Sequence, residues 1–284
     1  MLHRVGPKDD TLQPISELKI SPEYLEKFII SKINDYDFVS IDELSERILN
    51  HKKYNKKFIA ITFDDGYEDN YEYAYPILKK FNVPFCIYLS VNLLKDQEVK
   101  RWNYPFILEK IIRINDHLIL GDGVFYSCKT NDEKIKLFRL LRNRYFSSSY
   151  ENVFVDFNFL FSHYLTNDVF DEDTLSWSQI ECMSKDPLCL FGSHTMSHCR
   201  LNFSNEQYLE YELQNSKHII ESHINKKCLH ISYPYGSKDD VCIEAVDYIN
   251  KIGYKTGMIS HGGPIRKFDN NLNYIKRIML IDRQ

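Results

Sequence analysis

A chain of 284 residues is long enough for one large domain or two small ones with a buried core. Its 43% hydrophobic and 27% charged residues are ordinary for a globular protein, and a net charge of -4 with no basic stripe argues against a nucleic-acid partner. Seven scattered cysteines, odd in number and without a C-x-x-C pair, argue against a disulfide framework and for free thiols in a reducing compartment.

Met1 to Gly6 is too short and polar for the apolar core of a signal peptide, and no run approaches about 18 continuous apolar residues. The sequence therefore reads as a cytoplasmic protein with no membrane span. Phe58 to Phe63 has the composition of a buried strand, closed by Asp64-Asp65-Gly66. A helix is expected over about residues 70–81, with Tyr71, Ala74, Tyr75 and Leu78 on one stripe. Pro84 opens a second strand, Phe85 to Leu89.

The strand–helix rhythm breaks between about residues 95 and 173. Residues 102–114 look helical, Leu118 to Cys128 resembles a hairpin around Gly121-Asp122-Gly123, and Lys134 to Tyr145 reads as a basic helix. This stretch is expected to be a rim insertion in a single domain spanning 1–284, with Trp102 placed to stack on a sugar ring.

The rhythm resumes at Thr174. Leu188 to His194 is a strand, and Ser204 to His223 a helix capped by Ser204 with Gln207 at the capping-box position. Leu229 to Tyr233 is a strand ended by Pro234-Tyr235-Gly236. Val241 to Ile252 is helical, Tyr254 to Ser260 a strand, and Tyr274 to Ile281 extended. Alternation of this kind is the signature of an α/β protein. The chemically distinctive residues fall at the C-terminal ends of three strands, the face where a parallel barrel gathers its active site.

Asp64 and Asp65 are adjacent at one such end. Alternate strand residues face opposite ways, but a turn at Gly66 can redirect both carboxylates. A metal hydrolase needs one carboxylate as ligand and another to take a proton from water. His194 and His198, at i and i+4, would face one ion from a single helical turn. The missing Glu of H-E-x-x-H disfavours a zincin protease. One Asp with two His suits Zn²⁺, or Co²⁺, Fe²⁺, Mn²⁺ or Ni²⁺. Pro234 and Gly236 would fix a rigid loop whose Tyr235 amide can serve an oxyanion.

Thr62 to Tyr67 (T-F-D-D-G-Y), His194 to His198 (H-T-M-S-H) and Pro234 to Gly236 together resemble the polysaccharide deacetylase family, the NodB-homology domain of carbohydrate esterase family 4. Met1 to Gly6, Ser21 to Glu26, Val39 to Leu44, Leu175 to Ile180 and Arg277-Ile278 resemble segments of one bacterial branch. The resemblance implies a distorted, incomplete (β/α) barrel with a mainly helical insertion. It implies hydrolysis of an N-acetyl group on an amino sugar; because no export signal is seen, the substrate is expected to be an intermediate of surface polysaccharide or glycan biosynthesis rather than finished polymer. By motif matching, Asp64 is the base and Asp65, His194 and His198 hold the metal. Tyr67, Tyr233, Pro234 and Trp102 are expected to meet the sugar.

Two departures stand out. The third motif lacks the Arg that orients the base, and Arg277 is expected to replace it. No His follows His261, so the histidine that protonates the leaving amine in many members is missing; His261 and His3 are the substitutes available. A deformylase on the same scaffold and a silent carbohydrate-binding protein are the rival readings.

Overall fold

A computed structural model describes residues 1–50, 54–96, 104–146, 150–166, 174–202, 205–266 and 269–282. The chain divides into two compact units: Met1–Pro7 with Lys19–Arg101 and Asp173–Gln284, and Lys8–Leu18 with Trp102–Glu172.

The first unit is built on six parallel strands: β1 (Ile61–Phe63), β2 (Phe85–Leu89), β3 (Cys189–Ser193), β4 (His230–Ser232), β5 (Thr256–Gly262) and β6 (Ile275–Arg277). Their order in the sheet is their order in the chain. Each strand therefore adds beside its predecessor after a crossover, which is how a (β/α) barrel grows. The crossovers carry helix from β1 to β5 and, among the described residues, only the 3-10 turn Leu272–Tyr274 from β5 to β6. The sheet curls into a half-barrel whose two outer strands are linked by the first residues of the chain. Leu2 pairs with Phe63, its N–H donating to Thr62 O at 2.8 Å, while the Met1 nitrogen donates to Ile278 O at 2.9 Å just beyond β6.

The helix Ile41–Asn50 packs Ile41, Leu44 and Ile48 against Cys86, Tyr88, Met258 and Ile275 from β2, β5 and β6. Alternation along β6 then puts Arg277 on the same face as Ile275. Gly192 is required where β3 passes β2, because a Cβ there would lie 2.4 Å from the Tyr88 ring and 2.8 Å from His230 O.

The expected strand Phe58 to Phe63 is split at Ala60. Lys57–Ile59 pairs with Tyr36–Phe38 in a separate two-stranded sheet, and only Ile61–Phe63 joins the main one. The helix expected at 70–81 forms as a π segment, Asn70–Ala74, continuing into Tyr75–Lys80; Ala74 and Leu78 are buried while Tyr71 and Tyr75 lie at its margin. The helix after β3 begins at Glu206 with Asn205 as its cap, accepting from Gln207 N and Tyr208 N. Ser204, the expected cap, lies outside the described residues.

The second unit holds the helices Tyr104–Ile114, Asn131–Phe146 and Tyr150–Phe161 and the antiparallel hairpin His117–Ile119 with Phe125–Ser127. Its core joins Ile107, Leu108, Ile111, Phe138, Leu141, Phe157 and Phe161. Two features were not expected from sequence: the third helix, and the recruitment of residues 8–18, which seat Leu12 and Ile15 in this core.

Candidate metal and hydrolytic site

Asp64 and Asp65 follow β1 and diverge because the backbone turns left-handed, with φ of 76° at Asp65 and 86° at Gly66. Such a φ costs a non-glycine residue about 1–2 kcal/mol, which the surroundings must hold in place. A Cβ on Gly66 would approach Leu89 Cδ2 to 2.9 Å, so glycine also serves close packing there.

Asp65 meets two imidazoles. Its Oδ1 lies 3.4 Å from His194 Nε2 and 3.2 Å from His198 Nε2, and the three ligand atoms fall within 4.8 Å of one another. Oδ1 is buried and forms no hydrogen bond among the described residues. His194 Nδ1 is 2.7 Å from Ser232 O. A carbonyl only accepts, so Nδ1 carries the proton and Nε2 turns a lone pair toward the carboxylate. Burial holds His194 down at about 4, hence neutral at neutral pH. Burial alone would push Asp65 up, but the neighbouring His198, with His3 and His194, outweighs it and holds the carboxyl well below its usual range. Facing lone pairs on a buried carboxylate oxygen and an imidazole fit a shared divalent cation.

The two histidines do not converge from a helical turn, as their i, i+4 spacing suggested. His194 directly follows β3, residues 195–197 form a turn, and Thr195 (φ 68°) and His198 (φ 55°) are both left-handed. A strand end and a strained turn bring together what the spacing assigned to a helix.

Asp64, also buried, is clamped by Arg277 from β6. Nη1 donates to Oδ1 at 2.8 Å and Nη2 to Oδ2 at 2.7 Å. The same guanidinium donates to Ser232 Oγ at 2.8 Å, Thr62 Oγ1 at 3.3 Å and Ile259 O at 3.0 Å. The bidentate pair is the strongest form of this contact. Arg277 thus stands against Asp64, where the expected substitute for the third-motif arginine would have to be.

Tyr235 and Gly236 are left-handed as well, at φ 62° and 68°. The half-buried Tyr235 ring lies 5.1 Å from that of His198, with Arg200 4.5 Å over it.

Several expected site residues are elsewhere. Tyr67 is buried beneath Arg4, which sits 4.8 Å over its ring. Tyr233 is buried with its hydroxyl donating to Asn273 O at 3.0 Å, and Pro234 is buried beside it. Rings enclosed in this way have no face to offer a sugar. His261 is an exposed residue of β5 whose side chain makes no hydrogen bond or ion pair among the described residues. Trp102 lies outside the described residues. Trp177 packs in the core against His223, and His230 is satisfied by Thr256 Oγ1 at 2.9 Å.

Burial lowers the His3 pKa against the opposing pull of Asp65 and Asp64, and its buried Nδ1 makes no hydrogen bond among the described residues. Asn70 Nδ2 donates to His3 O at 2.9 Å, and Asp69 accepts from Arg4 Nε at 2.7 Å and Val5 N at 3.3 Å. Sequence reasoning missed Asp69, Asn70, Ser232 and the buried Glu212. Their side chains carry no motif, and their roles come from what the fold places beside them.

The sequence profile of the polysaccharide deacetylase family matches residues 51–117 and 143–257. The chain is 22% identical over 263 residues to the protein YxkH of Bacillus subtilis (strain 168), named as a polysaccharide deacetylase; the match covers 93% of this chain and 64% of that protein's length. Among solved structures, the fold is similar to the Streptococcus pyogenes deacetylase PplD in complex with acetate, at TM-score 0.64 and 18% identity over 98% of this chain and 89% of that one. It is also similar to IcaB from Ammonifex degensii, at TM-score 0.59 and 17% identity over 98% and 88%.

Proposed function

The chain belongs to the polysaccharide deacetylase family, and from that premise we propose that it hydrolyses the N-acetyl group of an amino sugar with the help of one divalent metal ion. One observation carries the reading: Asp65, His194 and His198 gather their ligand atoms within 4.8 Å beside an Asp64 clamped by arginine. Asp65, His194 and His198 would hold the ion, zinc first among Co, Fe, Mn and Ni. When bound, such an ion lowers the pKa of water and polarises a carbonyl. Asp64 accepts the proton of the attacking water, and Arg277 keeps its two oxygens fixed and ionised for that task. The Tyr235 amide is the proposed donor to the developing oxyanion. His3 is the proposed carrier of the proton to the leaving amine, in place of the exposed His261: its buried Nδ1 makes no hydrogen bond among the described residues, and because burial favours its neutral form it would take up a proton before passing one on. The proposed substrate is an N-acetylated amino sugar of a surface polysaccharide, glycan or its precursor.

The test supplies Zn²⁺ or Co²⁺ to the protein and measures acetate and formate released from a panel of N-acylated amino sugars, with Asp64→Asn as control. Acetate release that a chelator stops supports the reading. Formate in its place points to a deformylase, and a metal-loaded protein that releases neither is a binding protein.

A further inference from the structure

Glu212 is a buried carboxylate in the π segment Glu210–Asn215, and no Lys, Arg or His forms an ion pair with it among the described residues. Its oxygens are taken by the turn between the two histidines. Oε2 accepts from Met196 N and Ser197 N, each at 3.0 Å, and Oε1 accepts from the Ser197 hydroxyl. We propose that Glu212 is a positioning residue that fixes this turn, and so holds His198 where it can share a metal with Asp65 and His194; the inference rests on the metal reading of that site.

The turn's hydrogen bonds divide into two sets. Its carbonyls are held from the segment after β2: Ser90 Oγ donates to His194 O at 2.9 Å, Val91 N to Thr195 O at 3.2 Å and Asn92 N to Met196 O at 2.7 Å. Thr195 N reaches Ser193 Oγ at 3.1 Å. The N–H groups of Met196 and Ser197 point the other way, and Glu212 is the acceptor for both. Two successive amides aimed at one point form an anion-holding nest, and a carboxylate oxygen has the lone pairs to satisfy them. Without that acceptor two buried N–H groups are orphaned in a turn whose Thr195 and His198 are already in the left-handed region. The turn then has reason to relax, and His198 moves with it. The π segment contributes directly: its extra residue re-phases the helix running from Glu206 to Ile224, turning Glu212 inward, while Ser216 Oγ donates back to Glu212 O at 2.7 Å.

The experiment measures Co²⁺ affinity and the visible spectrum of the Co²⁺ protein, beside circular dichroism of the metal-free form. Glu212→Leu keeps volume and removes the acceptor; Glu212→Asp keeps the charge and withdraws it from the amides. Both are expected to weaken Co²⁺ binding by about 10- to 100-fold and to alter the spectrum. Glu212→Gln can turn its carbonyl to the two amides and its NH₂ to Ser197 Oγ, so it is expected to stay close to wild type. Should Glu212→Leu fail to fold, Glu212→Asp and Glu212→Gln decide. A folded Leu or Asp variant that binds Co²⁺ like wild type overturns the inference. So does a Gln variant as weak as Leu, which would mean that charge rather than hydrogen bonding matters. Wild-type protein that takes up no Co²⁺ overturns the metal reading itself, and the inference with it, before any variant is compared.

Discussion

Arg277→Met removes the guanidinium and little volume, and its consequences can be worked through Asp64. Burial alone would push the Asp64 carboxyl up; Arg277, with His194 and His3, outweighs burial and holds it at about 2 against an ordinary 3.8. That depression is worth about 2 kcal/mol of native stability at neutral pH. Because the folded value lies below the unfolded one, the stability is fully present above about pH 4 and is lost as pH falls through about 2. In the variant the buried carboxylate has no bidentate cation, burial dominates, and its folded value moves above 3.8. Its contribution then changes sign and opposes folding at neutral pH. Leaving one half of a buried pair costs about 3–5 kcal/mol, or roughly 10 °C in melting temperature. Thermal and urea unfolding across pH should therefore separate the two proteins near neutrality and bring them together only as pH falls through about 2. In turnover assays the acid limb of kcat/KM should move to higher pH, since the base must be ionised to act. A variant as stable as wild type at neutral pH, with its acid limb unmoved, would refute this account of the pair.

Other expectations concern the remaining residues of the site. Asp64→Asn should keep metal affinity, measured by competition with a chromogenic chelator, while kcat falls by about 10²- to 10⁴-fold; a parallel loss of metal would make Asp64 a ligand instead. Asp65→Asn and His198→Ala should lose the metal, read by elemental analysis after dialysis. His3→Asn should depress turnover of N-acetyl sugars but spare an activated aryl acetate ester, whose leaving group needs no proton. Equal losses on both substrates would remove His3 from that role. For the metal-free protein, the lowered His194 value of about 4 against 6.5 unfolded means that the unfolded state takes up a proton first as pH falls. Stability should decline from about pH 6.5 to about pH 4, by up to about 3 kcal/mol, in urea titrations. A flat profile over that window would show His194 protonating freely in the fold.

Much of the site was legible because strand ends and short motifs are local signals. Asp64, Asp65, His194 and His198 could be picked out before any contact was known, and Arg277 by the charge that the third motif lacks. What escaped depends on distant neighbours. Glu212 sits in an unremarkable helical pattern, and only the π segment turns it toward the Met196 and Ser197 amides. The run Phe58 to Phe63 reads as one strand because hydrophobicity does not record a change of partner at Ala60. His194-x-x-x-His198 carried a helical period by coincidence, since nothing in Thr195 or His198 announces a left-handed φ. Motif matching placed Tyr67 and Tyr233 at a sugar, whereas both rings are buried. In the second unit, Tyr150–Phe161 packs apolar residues too densely for its period to separate helix from strand.

The seam formed by Met1 and Leu2 between β1 and β6 has a consequence for the order of events during synthesis. Asp64 and Arg277 stand 213 residues apart, and the Met1–Ile278 bond spans 277. Loops of that length close slowly, and domains dominated by such pairings acquire their last contacts late. Asp64 therefore leaves the ribosome with its histidine neighbours and its arginine still to be translated, and its carboxylate stays ionised in water until they arrive. Burying it earlier would be unfavourable, so the half-barrel closes only once β6 can bring Arg277 along. Competence to hold its charges and completion of the fold thus arrive in one step, and a nascent chain halted before β6 is expected to remain open and sensitive to protease around residue 64.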